Sequence, residues 1–319
     1  MKLPKTLQPL LALLYLFASA CTSLPVANKT AGERLESKIL KRAQPLDFSA
    51  LDVQEERSRG ALALALLGKG LPIAVEGIKT LIRKDQEKYT ASYQQVKSNL
   101  YFYDKPSAIS SLDPQNIQFG GLELTRYITP KKTKQEEVAL RMRFELADDP
   151  QSLYNLLNNS LFQLRLSELD LNYAKAKIPA ARWYMPWTLI YANNDKLNLD
   201  IAITFYASWI SEQGQIHNNE KLGLALLTLR DIPINNPQAL ENYQNKLRNT
   251  TLDGYFYLVP RSAGSYVSAN KEIAKGFGQG VYSVDISVTE SGREKFVNRI
   301  IFDNVDDALD KLPKALNLQ

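Results

Sequence analysis

Residues 138–146 alternate apolar and polar side chains, with Val138, Leu140, Met142, Phe144 and Leu146 set against Ala139, Arg141, Arg143 and Glu145. The same period of two runs through 197–210, where Leu197, Leu199, Ile201, Ile203, Phe205, Ala207 and Trp209 form one row. It recurs in Tyr282, Val284, Ile286 and Val288, separated by Ser283, Asp285 and Ser287. Every second residue of a strand lies on one face, so these segments predict strands with one face buried and one wet. The apolar run 222–229 is within hairpin reach of 197–210, through the turn Ser211-Glu212-Gln213-Gly214-Gln215. A second hairpin is expected from 281–289 to 295–302, through Glu290-Ser291-Gly292-Arg293. Glycine in each turn supplies the positive φ that tight reversals require. Further strands are expected at 100–103, 118–128, 161–173 and 255–259, and hairpin-linked strands of this kind suit antiparallel sheets in a sandwich.

A different period marks the helices. Asp149-Pro150 and Asn236-Pro237 each place a capping side chain before a proline at the first helical position. Leu240, Tyr243 and Leu247 then share one face of the second helix, and Asp306-Asp307 opens a last short helix that Pro313 ends or kinks. In 61–97, the helix-forming run Ala61-Leu62-Ala63-Leu64-Ala65-Leu66-Leu67 is interrupted by Gly68-Lys69-Gly70-Leu71-Pro72. Val75, Ile78, Leu81 and Ile82 resume at helical spacing, with Tyr89, Tyr93 and Val96 extending the face. Lys69, Glu76, Lys79, two glycines and a proline argue against a bilayer span between 61 and 82. A helical hairpin packed on the core is expected, the alternative being an amphipathic surface or partner-binding helix. Residues 22–59 are polar and aperiodic, which reads as a tether with a short helix near 32–42.

The expected fold class is therefore α+β, mainly β: an antiparallel β-sandwich-like body (99–319) preceded by a helical segment (60–98), with short decorating helices. The polar tether occupies 21–59.

The first 20 residues stand apart. Lys2 and Lys5 precede the apolar run Leu10-Leu11-Ala12-Leu13-Leu14-Tyr15-Leu16-Phe17, too short to span a bilayer, as expected of a cleaved export signal. Ala18-Ser19-Ala20-Cys21 resembles the lipobox of bacterial lipoproteins, and Cys21 is the only cysteine in the chain. The resemblance covers residues 1–21 alone. It implies cleavage before Cys21, diacylation of that residue and anchoring in a membrane. Thr22, where an Asp would favour inner-membrane retention, implies the outer membrane. A plain secretory signal cleaved after Ala20 is the alternative.

Composition narrows the chemistry. Removing Lys2 and Lys5 takes the 39 basic residues to 37 against 34 acidic ones, a balance of +3. That is no nucleic-acid footprint, which needs clustered basic residues. One cysteine excludes a disulfide framework and multi-thiolate metal sites, and one histidine excludes paired imidazoles. His217 is placed at the tip of the first hairpin, exposed and without an orienting partner. Lys275-Gly276-Phe277-Gly278-Gln279-Gly280 leads into a strand rather than opening a helix, which makes it a turn and not a phosphate cradle. Asp148-Asp149, Asn193-Asn194-Asp195 and Asp303-Asn304-Val305-Asp306-Asp307 lack the ligand spacing and central glycine of a calcium loop.

The most unusual local feature is Trp183-Tyr184-Met185-Pro186-Trp187, with Tyr191 nearby. Such residues either cap a core or form a ligand or partner surface carried by Trp183, Tyr184 and Trp187. Neither a catalytic residue nor a metal or cofactor emerges. The expectation is a non-enzymatic, acyl-anchored envelope protein that binds another protein or joins an assembly. A glycan- or peptidoglycan-binding module and a carboxylate- or Ser–Lys-dependent hydrolase are the alternatives, the former through stacking on the tryptophans and the latter through groups that only the fold brings together.

Overall fold

The computed structural model describes residues 30–49, 51, 90–176, 196–234 and 236–292. The signal segment with Cys21, the 61–82 region, the Trp183-Tyr184-Trp187 cluster, Asn193-Asn194-Asp195, the strand expected at 295–302 and the last helix lie outside the described residues.

The chain is mainly β, and its described residues form two antiparallel sheets with a small ribbon attached. The first sheet holds β1 (Thr30–Lys41), β3 (Phe119–Pro130), β4 (Glu137–Leu146), β6 (Leu164–Leu171) and β9 (Thr250–Thr251), in that order. The second runs β2 (Thr90–Asn99), β13 (Val281–Ser291), β7 (Lys196–Ile210), β8 (Ile216–Pro233), β10 (Asp253–Tyr257) and β5 (Leu161–Phe162). β11 (Ala263–Val267) and β12 (Ile273–Phe277) form the ribbon. At one side of the sandwich the chain steps from sheet to sheet across single residues: Gln163 separates β5 from β6, and Leu252 separates β9 from β10. Strands that change sheets in this way make the corner of the fold.

The period-two rows meet in one interior. Leu122, Leu124, Met142, Phe144 and Leu166 from the first sheet join Ile201, Ile203, Phe205, Leu227, Val284 and Ile286 from the second in a single buried cluster. Aromatic rings lock the two layers together. Across the layers Phe119 meets Phe205 edge to face at 5.5 Å and Phe162 at 5.9 Å, while within the second sheet Phe205 lies 5.3 Å from Phe162 and 4.6 Å from Phe256. Offset and edge-to-face contacts of this kind contribute about 1 kcal/mol each beyond the area they bury.

Two helices close the ends of strands. α1 (Pro150–Asn159) starts where Asp149 accepts from the Ser152 N–H at 3.1 Å and its hydroxyl at 2.6 Å. α2 (Pro237–Leu247) starts where Asn236 accepts from the N–H groups of Gln238 and Ala239 at 3.0 and 3.2 Å. Both follow the cap-then-proline signal in the sequence.

Four expectations need correction. Thr30–Lys41 is neither tether nor helix but an edge strand paired along β3. Its inward row of Leu35, Ser37 and Ile39 is broken by a serine, which hides the alternation, while Arg34, Glu36 and Lys38 pair on the outer row. Thr90–Asn99 is a strand, not the end of a helical segment. Tyr93 is its one buried residue and Val96 is exposed, so their helical spacing reflects no buried helical face. Residues 100–103 form no strand, only a single bridge from Tyr103 to Ile117, although Phe102 and Tyr103 are fully buried; their apolar run marks core. Finally, Glu290 and Ser291 are strand residues rather than a turn, and β13 is paired on both edges, with β2 and β7.

Gly121 shows how tightly the first sheet bends. Its φ is +141°, and a Cβ there would lie 2.0 Å from the Phe144 carbonyl oxygen. Gly121→Ala should therefore cost about 3 kcal/mol or more. Urea unfolding of the variant measures this, and a midpoint equal to wild type would contradict the close approach.

Candidate functional site: an apolar end and a buried charge cluster

Strand register assigns the two ends of the sandwich. Thr30 pairs with Pro130 in the first sheet, while Ser291 pairs with both Thr90 and Asn198 in the second. Arg126 of β3 reaches Glu290 of β13 across the interior, so these residues mark one common end. Lys41, Asn99, Val281, Ile210 and Ile216 lie toward the other.

At the first end, a carboxylate is sealed inside the protein. Glu290 Oε1 accepts from the Tyr93 hydroxyl at 2.9 Å and from Arg126 Nη2 at 3.4 Å. Its Oε2 accepts from the backbone N–H groups of Lys175 and Ala176 at 2.6 and 3.1 Å. Both side chains of the ion pair are fully buried. Arg126 also donates to the Tyr173 carbonyl and stands 5.4 Å from the Tyr93 ring centroid. Burial, and then the adjacent Glu290, drive the Tyr93 hydroxyl well above its ordinary pKa. The cluster binds β2, β3, β13 and the 173–176 segment into one unit. Every oxygen of Glu290 is occupied by the protein itself, which suits a structural tie and not a proton-transfer site.

A shallow depression of about 470 Å³ lies nearby, lined by Glu137, Val138, Asn172 and Tyr173. Its polar groups are engaged with one another: the Tyr173 hydroxyl donates to Glu137, and Asn172 Nδ2 donates to the Val138 carbonyl at 3.3 Å. No group of three or more histidine, cysteine or acidic residues able to hold a metal occurs among the described residues.

A second buried carboxyl, Asp200, lies on β7. It accepts from Arg230 at Oδ1, while Oδ2 has no hydrogen-bond partner. Burial raises its pKa above the usual carboxylate range despite the guanidinium.

The opposite end is apolar and open. Ile109 is 90% exposed, Ile273 83%, Ile216 75% and Val267 69%. Backbone contacts hold the elements that carry these residues side by side. Ser107 and Phe277 exchange two backbone hydrogen bonds, at 2.9 and 2.7 Å, which sets the 107–109 segment against β12. The Ile210 N–H donates to Ser262 Oγ at 3.2 Å, which sets the β7–β8 hairpin against the base of the ribbon. Behind this end, Arg261 is buried between Asp113 (3.1 Å), the Lys105 carbonyl (2.7 Å) and the Tyr103 ring (3.9 Å to the centroid), so the 101–117 connection is firmly seated. These exposed aliphatic side chains thus sit on elements that backbone bonds hold side by side.

His217 is not at a hairpin tip. It lies within β8 opposite Trp209, and its ring stacks on the indole at 4.3 Å with 5° between planes. Lys275, Gly276 and Phe277 belong to strand β12 rather than to the expected turn, and only Gly278-Gln279-Gly280 links it to β13. Asp149 is a helix cap, and Asp148 pairs with Arg165 at 2.6 Å. Cys21, Trp183, Tyr184 and Trp187 lie outside the described residues. Sequence reasoning missed the apolar end because its residues come from four separate segments, each with one or two aliphatics in a polar context. Compared with protein-family models, curated proteins and solved structures, the chain matches none.

Two outcomes follow from the buried charges. Glu290→Gln leaves the Arg126 guanidinium buried without a counter-charge and should cost about 3–5 kcal/mol in urea unfolding, most of it recovered when Arg126→Met is added. A single variant as stable as wild type would contradict the tie. For Asp200, a folded-state pKa above the unfolded one means that the folded chain binds the proton more tightly. Its favourable contribution is therefore present at acid pH and lost as pH rises through the folded value. Asp200→Asn, which cannot titrate, should gain stability relative to wild type between about pH 4 and about pH 7. An unchanged difference in urea midpoint across that range would contradict the assignment.

Proposed function

We propose that this chain is a non-enzymatic bacterial envelope lipoprotein, acylated at Cys21 and anchored in the outer membrane, that binds another protein through the apolar end of its sandwich. The observation that carries the reading is the set of exposed residues Ile109, Ile216, Val267 and Ile273 on a firmly supported end. Placement supports it further. Thr30 enters the fold at the charge-cluster end, and Cys21 precedes it by nine residues, a reach of about 30 Å at most. An acyl anchor at Cys21 therefore attaches the body by the end opposite the apolar surface, which then faces away from its own membrane. Two or three acyl chains hold a protein on a bilayer, at about 0.8 kcal/mol per buried methylene.

The anchor is tested by intact mass and membrane fractionation of wild type beside Cys21→Ala in a bacterial host. A diacylglyceryl-sized gain on wild type alone is the expected result; an unmodified soluble product cleaved after Ala20 would remove the anchor. The surface is tested by Ile216→Asp with Ile273→Asp. Both sites are exposed, so folding should change by less than about 0.5 kcal/mol. Chemical cross-linking in intact cells should then yield about tenfold fewer adducts, equivalent to about 1.4 kcal/mol of lost affinity. Undiminished adducts would contradict a binding role for this end.

A further inference from the structure

The ribbon at the apolar end has one open edge. The Ser268 N–H donates to the Glu272 carbonyl at 2.8 Å, the Lys271 N–H donates to the Ser268 carbonyl at 2.9 Å, and Lys271 adopts a φ of 64°. That is a three-residue hairpin loop closed by a left-handed residue. Hydrogen-bonding direction alternates along an antiparallel pair. Ser268 faces β12, so Tyr266 and Gly264 face it too, and the bond from Gly278 N–H to the Ser262 carbonyl at 2.8 Å continues the row. The N–H and C=O groups of Ser265 and Val267 therefore point away from β12. Among the described residues no strand pairs with that side of β11. On the far side of the ribbon, β12 is partly engaged through Phe277 and Ser107.

Exposed strand edges are ordinarily blunted by charge, proline or a bulge. The β12 arm carries Glu272 and Lys275 beside the turn residue Lys271, whereas β11 reads Ala263-Gly264-Ser265-Tyr266-Val267 without a charge or a proline. We infer that β11 is a self-pairing edge, and that the partner seated on it is a second copy of this chain. The inference rests on the reading of this end as a protein-binding surface and names its occupant.

Composition and existing pairing select the strand. Two copies of β11 running antiparallel about Tyr266 set Ser265 against Val267 of the second copy, and Gly264 against its Ser268. No charge opposes another. β12 is the less open edge, because it carries Lys275, is flanked by Lys271 and Glu272, and is already held at Phe277 by two backbone bonds to Ser107. Pairing through β11 satisfies the outward groups of Ser265 and Val267 in both copies. It also brings the exposed Val267, with Ile210 and Ile216 beside the ribbon's base, toward the junction.

The full chain carrying Cys21→Ser is free of cysteine, which makes an engineered thiol specific. Tyr266→Cys in that background places two thiols across the symmetry axis at a non-hydrogen-bonded pair, where side chains approach most closely. Mild oxidation should convert more than about half of the chain to a disulfide dimer, against less than about a tenth for Lys275→Cys on β12. Light scattering of the Cys21→Ser chain at about 100 µM should give twice the monomer mass. Ser265→Pro removes one outward N–H without touching a bond inside the ribbon, and should return the mass to that of a monomer with an unchanged circular dichroism spectrum. A monomeric Cys21→Ser chain, equal cross-linking at the two positions, or a dimer that survives Ser265→Pro would overturn self-pairing. A monomer whose cellular adducts still depend on Ile216 and Ile273 would overturn it while leaving the protein-binding reading intact.

Discussion

Phe119 and Phe205 come from different sheets, yet their rings meet edge to face in an interior that neither sheet encloses alone. This shared interior is the constraint on which the rest depends. A sheet with one apolar face must bury it against something, and here each sheet is the other's cover. The corner steps at Gln163 and Leu252 carry the chain between the layers, so the faces are closed on one side by continuous backbone. Phe162 at one corner reaches both Phe119 and Phe205, and the aromatic contacts thus run from the corner into the middle of the core.

The two ends of the sandwich solve opposite problems. One end contains Glu290 and Arg126, where the carboxylate accepts four hydrogen bonds and the guanidinium, through Nη2 alone, meets its counter-charge and the Tyr173 carbonyl, its Nε and Nη1 being buried without a hydrogen-bond partner. The other end exposes aliphatic side chains that water would rather see buried, held by a seated Arg261 and by backbone bonds to the ribbon. The first arrangement fixes strands in place; the second leaves free energy available for association. Under the proposed reading, a chain attached through residues preceding Thr30 is held at the fixed end and presents the other.

How much of this was legible depended on burial. β4, β7 and β13 have most of their inward rows in the core, so the period of two shows in the sequence, although β7 is buried on both faces over 197–205 where one wet face is expected. β1 and β2 are edge strands with few buried residues, and Ser37 and Tyr93 each stand in rows too sparse to show a period. Both helices were signalled by a cap followed by proline, a local code that needs no tertiary context. The Arg126–Glu290 pair joins positions 164 residues apart and has no sequence signature, since each is one charged residue among many. The apolar end was equally hidden. Its character arises from the assembly of 107–109, the β7–β8 hairpin and the ribbon, none of which is strongly apolar alone.

Native-state amide hydrogen exchange along a urea series tests the shared interior most directly. If the two sheets depend on one core, amides of β3 and β4 and those of β7 and β13 will open with a single free energy and a single urea dependence. Exchange of one sheet through an opening that leaves the other protected would contradict that account, because each sheet would then have an interior of its own.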